Sequence, residues 1–146
     1  MLRIYISYIL TLVSAFMVWW IFGLFATVAA GYTWLPFIAF LGSTLHFGIS
    51  SWLFLTFPKP GKILAIATTL LICAWPIGTF FSNADKDPFT ASYFVVVFIL
   101  CGTLIYNHVT TFKDPRKPKA ITRLIMSIVP FTLFTLYVFT TYRYFV

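Results

Sequence analysis

Apolar residues fill this chain in long runs that are separated by short polar segments. Five of the runs are long enough for a membrane-spanning helix, which needs about 20 predominantly apolar residues. The predicted spans cover about residues 4–29, 34–57, 62–81, 89–112 and 120–142. The pattern therefore predicts an all-α polytopic integral membrane protein, with five transmembrane helices in a single bundle domain over residues 1–146.

Segments rich in glycine, proline and charge mark the ends of these runs. The first two runs are almost continuous, and we place a break at residues 30–33 because one span cannot hold more than about 50 residues. The other predicted loops are residues 58–61, 82–88 and 113–119. The first apolar run has about 26 residues, whereas the core of a signal peptide has about 7–15, so we expect a retained span.

Lysines and arginines fall almost entirely on one side of this predicted topology. One side collects Arg3, Lys59, Lys62, Lys113, Arg116, Lys117, Lys119 and Arg123, and the other collects Lys86 and Arg143. Cytoplasmic loops of membrane proteins carry an excess of lysine and arginine. We therefore predict that the N-terminus lies inside and the C-terminus outside, in a bacterial inner membrane or an organellar membrane.

The composition supports the membrane assignment. Hydrophobic residues make up 61% of the chain and charged residues 9%, whereas soluble domains carry about 25% charged residues. Because the basic residues lie in the predicted loops or near the ends of predicted spans, the net charge of +7 indicates topology, and we expect no nucleic-acid partner.

The most polar stretch inside any apolar run is residues 41–51, within the second predicted span. On a helix, Ser43, His46 and Ser50 share one stripe, and further small and hydroxyl residues share the opposite stripe. Small and hydroxyl residues allow close packing of transmembrane helices, so we expect this helix at the centre of the bundle. His46 is then either a buried structural residue or a functional one, because ionisable groups are costly within a membrane.

Three classes of function fit these patterns. The first is a non-catalytic membrane subunit that packs against partner subunits or copies of itself. It is favoured because the three acids, Asp85, Asp87 and Asp114, lie in predicted loops and no catalytic motif is present, so no catalytic residue and no cofactor is expected. The second is a small oligomeric transporter or channel, with a path along a polar stripe formed by Ser43, His46, Ser50, Thr69 and Thr103.

The third class is a metal or redox membrane enzyme that uses His46, Cys73 and Cys101. All three lie about 11 to 12 residues into their predicted spans, which places them near the midplane at 1.5 Å per residue. An imidazole and two thiolates suit a soft metal such as Cu(I) or Zn. The other histidine, His108, is predicted at the headgroup boundary, beside the basic loop.

The loop between the last two predicted spans is strongly basic. Its candidate contact residues are Lys113, Arg116, Lys117, Lys119 and Arg123. Cations just inside a membrane attract anionic lipid headgroups. The alternatives are a role in topology alone and contact with an acidic surface of a partner.

Overall fold

The computed structural model describes residues 2–28, 34–83, 88–114 and 116–142, with side chains described except at 22–28, 75–83, 88–91, 93 and 94. Within these ranges the chain forms five α-helices and no strand. The helices are α1 (Leu2–Val28), α2 (Trp34–Thr56), α3 (Pro58–Asn83), α4 (Pro88–Thr110) and α5 (Ala120–Tyr142). The predicted all-α architecture is confirmed.

The α2–α3 connection is shorter than the sequence predicted. Residues 58–61 were expected as a loop, but they form the first turn of α3, and Phe57 alone separates the two helices. Proline is favoured in the first turn of a helix because its missing N–H has no intrahelical partner there. Gly61 then lies directly against α2, where an added Cβ would be 2.6 Å from the Phe54 nitrogen. The junction therefore depends on a residue without a side chain.

Helix contacts define the order of packing. α2 contacts α1, α3 and α5, whereas α4 packs on α3 and α1. Ser7 of α1 is hydrogen bonded to Thr111 after α4, and Lys117 donates to the Thr56 carbonyl at the end of α2. The start of α1, the α2–α3 junction and the α4–α5 loop therefore lie at the same end of the bundle, which we call the cationic end.

Aromatic packing joins α1, α2 and α5 away from the cationic end. Phe47 and Phe134 stack with ring centroids 4.1 Å apart, and both belong to a buried cluster with Trp19 and Val138. The Trp19 indole donates a hydrogen bond to the Thr141 hydroxyl at 3.1 Å. The polar tip of this buried ring is thus satisfied by the last turn of α5.

Among the described residues, three helical segments are long and apolar enough to cross a membrane. They are Leu2–Ile21, Trp34–Thr56 and Ala120–Tyr142, and Val95–Thr110 is a shorter apolar helix. These segments match the first, second and fifth predicted spans. Membrane-spanning capacity is thus found for three helices, and the count of five crossings and their orientation stay predictions.

Candidate functional site

Six polar side chains meet where α1, α3 and α4 converge at the cationic end. We call this group the His108 cluster, and it consists of Ser7, Thr11, Lys62, Asn107, His108 and Thr111. All of them except Asn107 are buried, and Lys62 is only 2% exposed. A buried ammonium group in a helical bundle needs an explanation, because removing a charge from water is costly unless the charge is compensated.

Hydrogen bonds within the His108 cluster connect the three helices. The Ser7 hydroxyl lies 3.0 Å from the Thr111 hydroxyl and accepts a bond from the Asn107 amide at 2.6 Å. The Lys62 ammonium donates to the Thr111 carbonyl. Carbonyls at a helix C-terminus lack intrahelical donors and carry partial negative charge, so a lysine there is favourable. Lys62 thereby compensates the end of α4.

His108 lies at the cationic end, near the basic loop as expected. Its side chain is fully buried within the protein, and its depth relative to the headgroups stays a prediction. Its Nε2 is 3.4 Å from the Thr11 hydroxyl, and its Nδ1 has no hydrogen-bond partner in the part of the chain that the structure describes. The hydroxyls of α1 supply a polar wall that the sequence analysis did not identify, and this wall accounts for the burial.

That polar wall is formed by Ser7, Thr11 and Ser14 of α1, each at most 1% exposed. Their i, i+4 and i+7 spacing places them on one helix face. The spacing is visible in the sequence and was the available signal, but the surrounding apolar run concealed it. The sequence analysis therefore missed the α1 contribution to the interior.

The predicted polar stripe is assembled only in part. His46 is half-buried, with its Nε2 3.2 Å from the Thr68 hydroxyl and 3.5 Å from the Ser50 hydroxyl. Ser43, Ser50 and Thr69 are buried, and Thr69 donates to the Ala65 carbonyl. Thr103 does not join them, because it lies on the exposed face of α4 and its hydroxyl bonds the Ile99 carbonyl. The position of Thr103 along its span did not predict the direction in which its side chain points.

The two cysteines are bonded to each other. Cys73 of α3 and Cys101 of α4 form a disulfide with their Cα atoms 6.7 Å apart, which agrees with their predicted common depth. Metal ligation requires thiolates, and a disulfide offers none. No group of three or more His, Cys, Asp or Glu side chains that would hold a metal lies in the described part of the chain. His46 is thus not brought to the cysteine pair there.

The basic loop carries one tight ion pair. Asp114 accepts hydrogen bonds from the Arg116 guanidinium at 2.6 and 2.9 Å. These bonds hold the pKa of the Asp114 carboxyl well below its usual range and raise the pKa of Arg116. Arg116 is therefore already engaged, whereas Lys113 and Lys119 are exposed. Arg123 lies in the first turn of α5, with a buried Nε that has no partner.

Apolar side chains line a groove of about 440 Å³ on the surface between α1 and α5. Ile9, Phe16, Leu133 and Tyr137 contribute to its walls, and Phe47 of α2 forms part of its floor. Neither His46 nor the residues of the His108 cluster line it. This groove therefore has the character of a lipid-facing surface and not of a polar path.

The chain matches no known family model, no curated protein and no solved structure.

Proposed function

We propose that the chain is a non-catalytic integral membrane subunit that crosses the bilayer five times and packs against another membrane protein through α4. The observation that carries this proposal is Gly102, which lies exposed on α4 with no described atom within 4 Å of an added Cβ. Glycine lowers helix stability by about 1 kcal/mol relative to alanine. The described residues give Gly102 no packing role that offsets this cost. A small residue on an outward transmembrane face allows a second helix to approach closely.

The residues around Gly102 form a continuous outward face. Val95, Ile99, Gly102 and Tyr106 follow i, i+4, i+7 and i+11 spacing and are all exposed. Tyr106 is 72% exposed. Large side chains on either side of a glycine notch are suited to interdigitation with a partner helix.

The use of polar groups in the interior also supports a structural role. The Tyr8 hydroxyl lies 2.8 Å from the Ser51 hydroxyl and donates to the Met126 carbonyl, which joins α1, α2 and α5. His46 contacts Thr68 across the α2–α3 interface. These groups connect helices of the same chain, and hydrogen bonds of this kind are a regular stabiliser of membrane bundles.

Site-specific photo-crosslinking in the native membrane tests the proposal. A photoreactive residue is introduced at position 102, and the matched control carries it at Leu124, which is 60% exposed on α5. We expect a discrete protein adduct from position 102 and none from position 124. Two differently tagged copies expressed together distinguish a second copy of this chain from another protein. Equal adducts from both positions, or none from either, would contradict docking through α4.

One observation favours a transporter or channel as a second candidate. The hydroxyls of Ser43 and Thr44 are buried without a hydrogen-bond partner among the described residues, and such groups are costly unless water or a ligand reaches them. Because both native cysteines are bonded, a Ser43→Cys variant carries a single free thiol. Transport predicts labelling of this thiol by a membrane-impermeant reagent, with Ser51→Cys unlabelled as the control. An unreactive thiol at position 43 would remove this candidate.

A further inference from the structure

A groove of about 260 Å³ opens at the cationic end, between the α2–α3 junction and the α4–α5 loop. We call it the basic groove, and it is lined by Phe57, Pro58, Lys59, Pro60, Asp114 and Lys117. Three of its residues are apolar and three are charged. A surface with both characters fits the boundary between the hydrocarbon core and the headgroups of a membrane.

The charge of the basic groove is positive. Lys59 and Lys117 are both exposed, and Lys117 donates one hydrogen bond, to the Thr56 carbonyl at 2.8 Å. An ammonium group has three donors, so Lys117 retains two. Asp114 is the acid in the groove, and its charge is compensated by Arg116 at 2.6 Å. Lys62 is a further electrostatic neighbour of Asp114.

Aromatic rings place this groove at the edge of the apolar surface. Phe57 is 50% exposed and Trp52 is 54% exposed, and their rings meet edge to face with centroids 5.8 Å apart. Tryptophan is enriched where a membrane protein passes from hydrocarbon to headgroups, and Trp52 is such a residue beside Phe57. The Lys117 ammonium lies 5.9 Å from the centre of the Phe57 ring, within the range for a cation–π contact.

We propose that the basic groove binds the phosphate of an anionic membrane lipid through Lys59 and Lys117. Phe57, Pro58 and Pro60 contact the apolar part of the same lipid. The apolar wall favours a lipid over a free phosphate ion, because a free ion gains nothing from it. This site is narrower than the five-residue basic loop predicted from the sequence, since it keeps only Lys117 of those five residues and adds Lys59. It rests on the membrane setting of the chain and is independent of docking through α4.

Native mass spectrometry of the full chain in neutral detergent tests the site. The probes are a phosphatidylglycerol, the zwitterionic phosphatidylcholine with the same acyl chains, and inorganic phosphate. We compare Lys59→Gln/Lys117→Gln with the matched control Lys113→Gln/Lys119→Gln, which removes the same charge from exposed positions outside the groove.

We expect the wild type to prefer phosphatidylglycerol over phosphatidylcholine, and the groove variant to bind it roughly 25-fold more weakly. This estimate assigns about a five-fold change in affinity to each lysine, which is equivalent to the roughly 1 kcal/mol that one cation contributes near an anionic membrane surface. The control pair should change binding by less than about two-fold, because neither lysine lines the groove and charges exposed to solvent are screened by salt. Lys117→Arg, which keeps a donor for the Thr56 carbonyl, should retain most of the binding.

Three results would overturn the proposal. Equal losses in the groove and control variants would mean diffuse attraction without a defined site. Displacement of the lipid by millimolar inorganic phosphate would mean that the apolar wall takes no part. Equal binding of the two lipids by the wild type would mean that charge is not recognised. Melting curves of all variants in the same detergent establish that each one is folded.

Discussion

Three glycines in contrasting surroundings give a graded test of the packing. An alanine Cβ at position 61 would collide with the Phe54 Cα and would lie 2.6 Å from the Phe54 nitrogen. Non-bonded heavy atoms rest about 3.5–4.0 Å apart, so α3 would have to move away from α2 by more than about 1 Å. At position 48 the obstacle is the end of the Phe131 ring, at 2.9 Å, and at position 102 there is none.

These geometries set the expected changes in the free energy of unfolding. Overpacking costs typically about 1–3 kcal/mol, and a backbone obstacle places Gly61→Ala at or above the upper end of that range. Gly102→Ala should stabilise the isolated chain by up to about 1 kcal/mol through helix propensity. For Gly48→Ala the ring can rotate, because Phe131 is 38% exposed, so the two effects should nearly cancel.

The assay is equilibrium unfolding of the purified chain in detergent micelles, followed by circular dichroism, with the three variants measured side by side. The expected order of stability is Gly102→Ala, then Gly48→Ala, then Gly61→Ala, with about 3–4 kcal/mol between the extremes. A Gly61→Ala variant as stable as Gly102→Ala would refute the direct α2–α3 contact.

Three further predictions concern hydrogen bonding, the disulfide and pH. Tyr8→Phe should lower the free energy of unfolding by about 1–2 kcal/mol in the same assay, because two hydrogen bonds of the Tyr8 hydroxyl are lost. The control Tyr106→Phe, on the exposed face of α4, should leave it almost unchanged. Maleimide should label no cysteine in the denatured, unreduced chain and both Cys73 and Cys101 after reduction, as mass spectrometry will report; labelling before reduction would be inconsistent with the bond. Carboxyl-carbon NMR of Asp114 should show no titration from about pH 7 down to pH 4. The depressed pKa of this carboxyl keeps the ion pair intact until the pH falls below the ordinary aspartate pKa of about 3.9. A titration midpoint at or above about pH 3.9 would contradict the pairing.

The extents of α2 and α5 were predictable because each follows the length of its apolar run. The predicted fifth span, residues 120–142, coincides with α5, and α2 differs from its prediction by one residue. The start of α3 was not predictable from composition, because a Pro-Lys-Pro-Gly segment fits a turn and a first helical turn equally well. In the structure the segment is the first helical turn, with Gly61 packed against Phe54 of α2.

The direction in which each side chain points was the harder part. Counting residues along each span correctly predicted that Cys73 and Cys101 lie at a common depth. The same count does not predict how each helix is rotated about its axis. Thr103 therefore faces outward although it was assigned to an interior path. His108 meets the Thr11 hydroxyl, 97 residues earlier in the chain. The hydroxyl spacing of α1 is visible in the sequence, but the sequence does not show which distant residue meets it.

The His108 cluster also has a consequence for biogenesis. Ser7 and Thr11 are made first by the ribosome, yet their partners Asn107, His108 and Thr111 lie 97 to 104 residues downstream. While α2 and α3 are being synthesised, the hydroxyl face of α1 lacks these partners. The growing chain is thus an incomplete intermediate until α4 is made, and a nascent chain arrested before α4 should leave that face without its α4 partners.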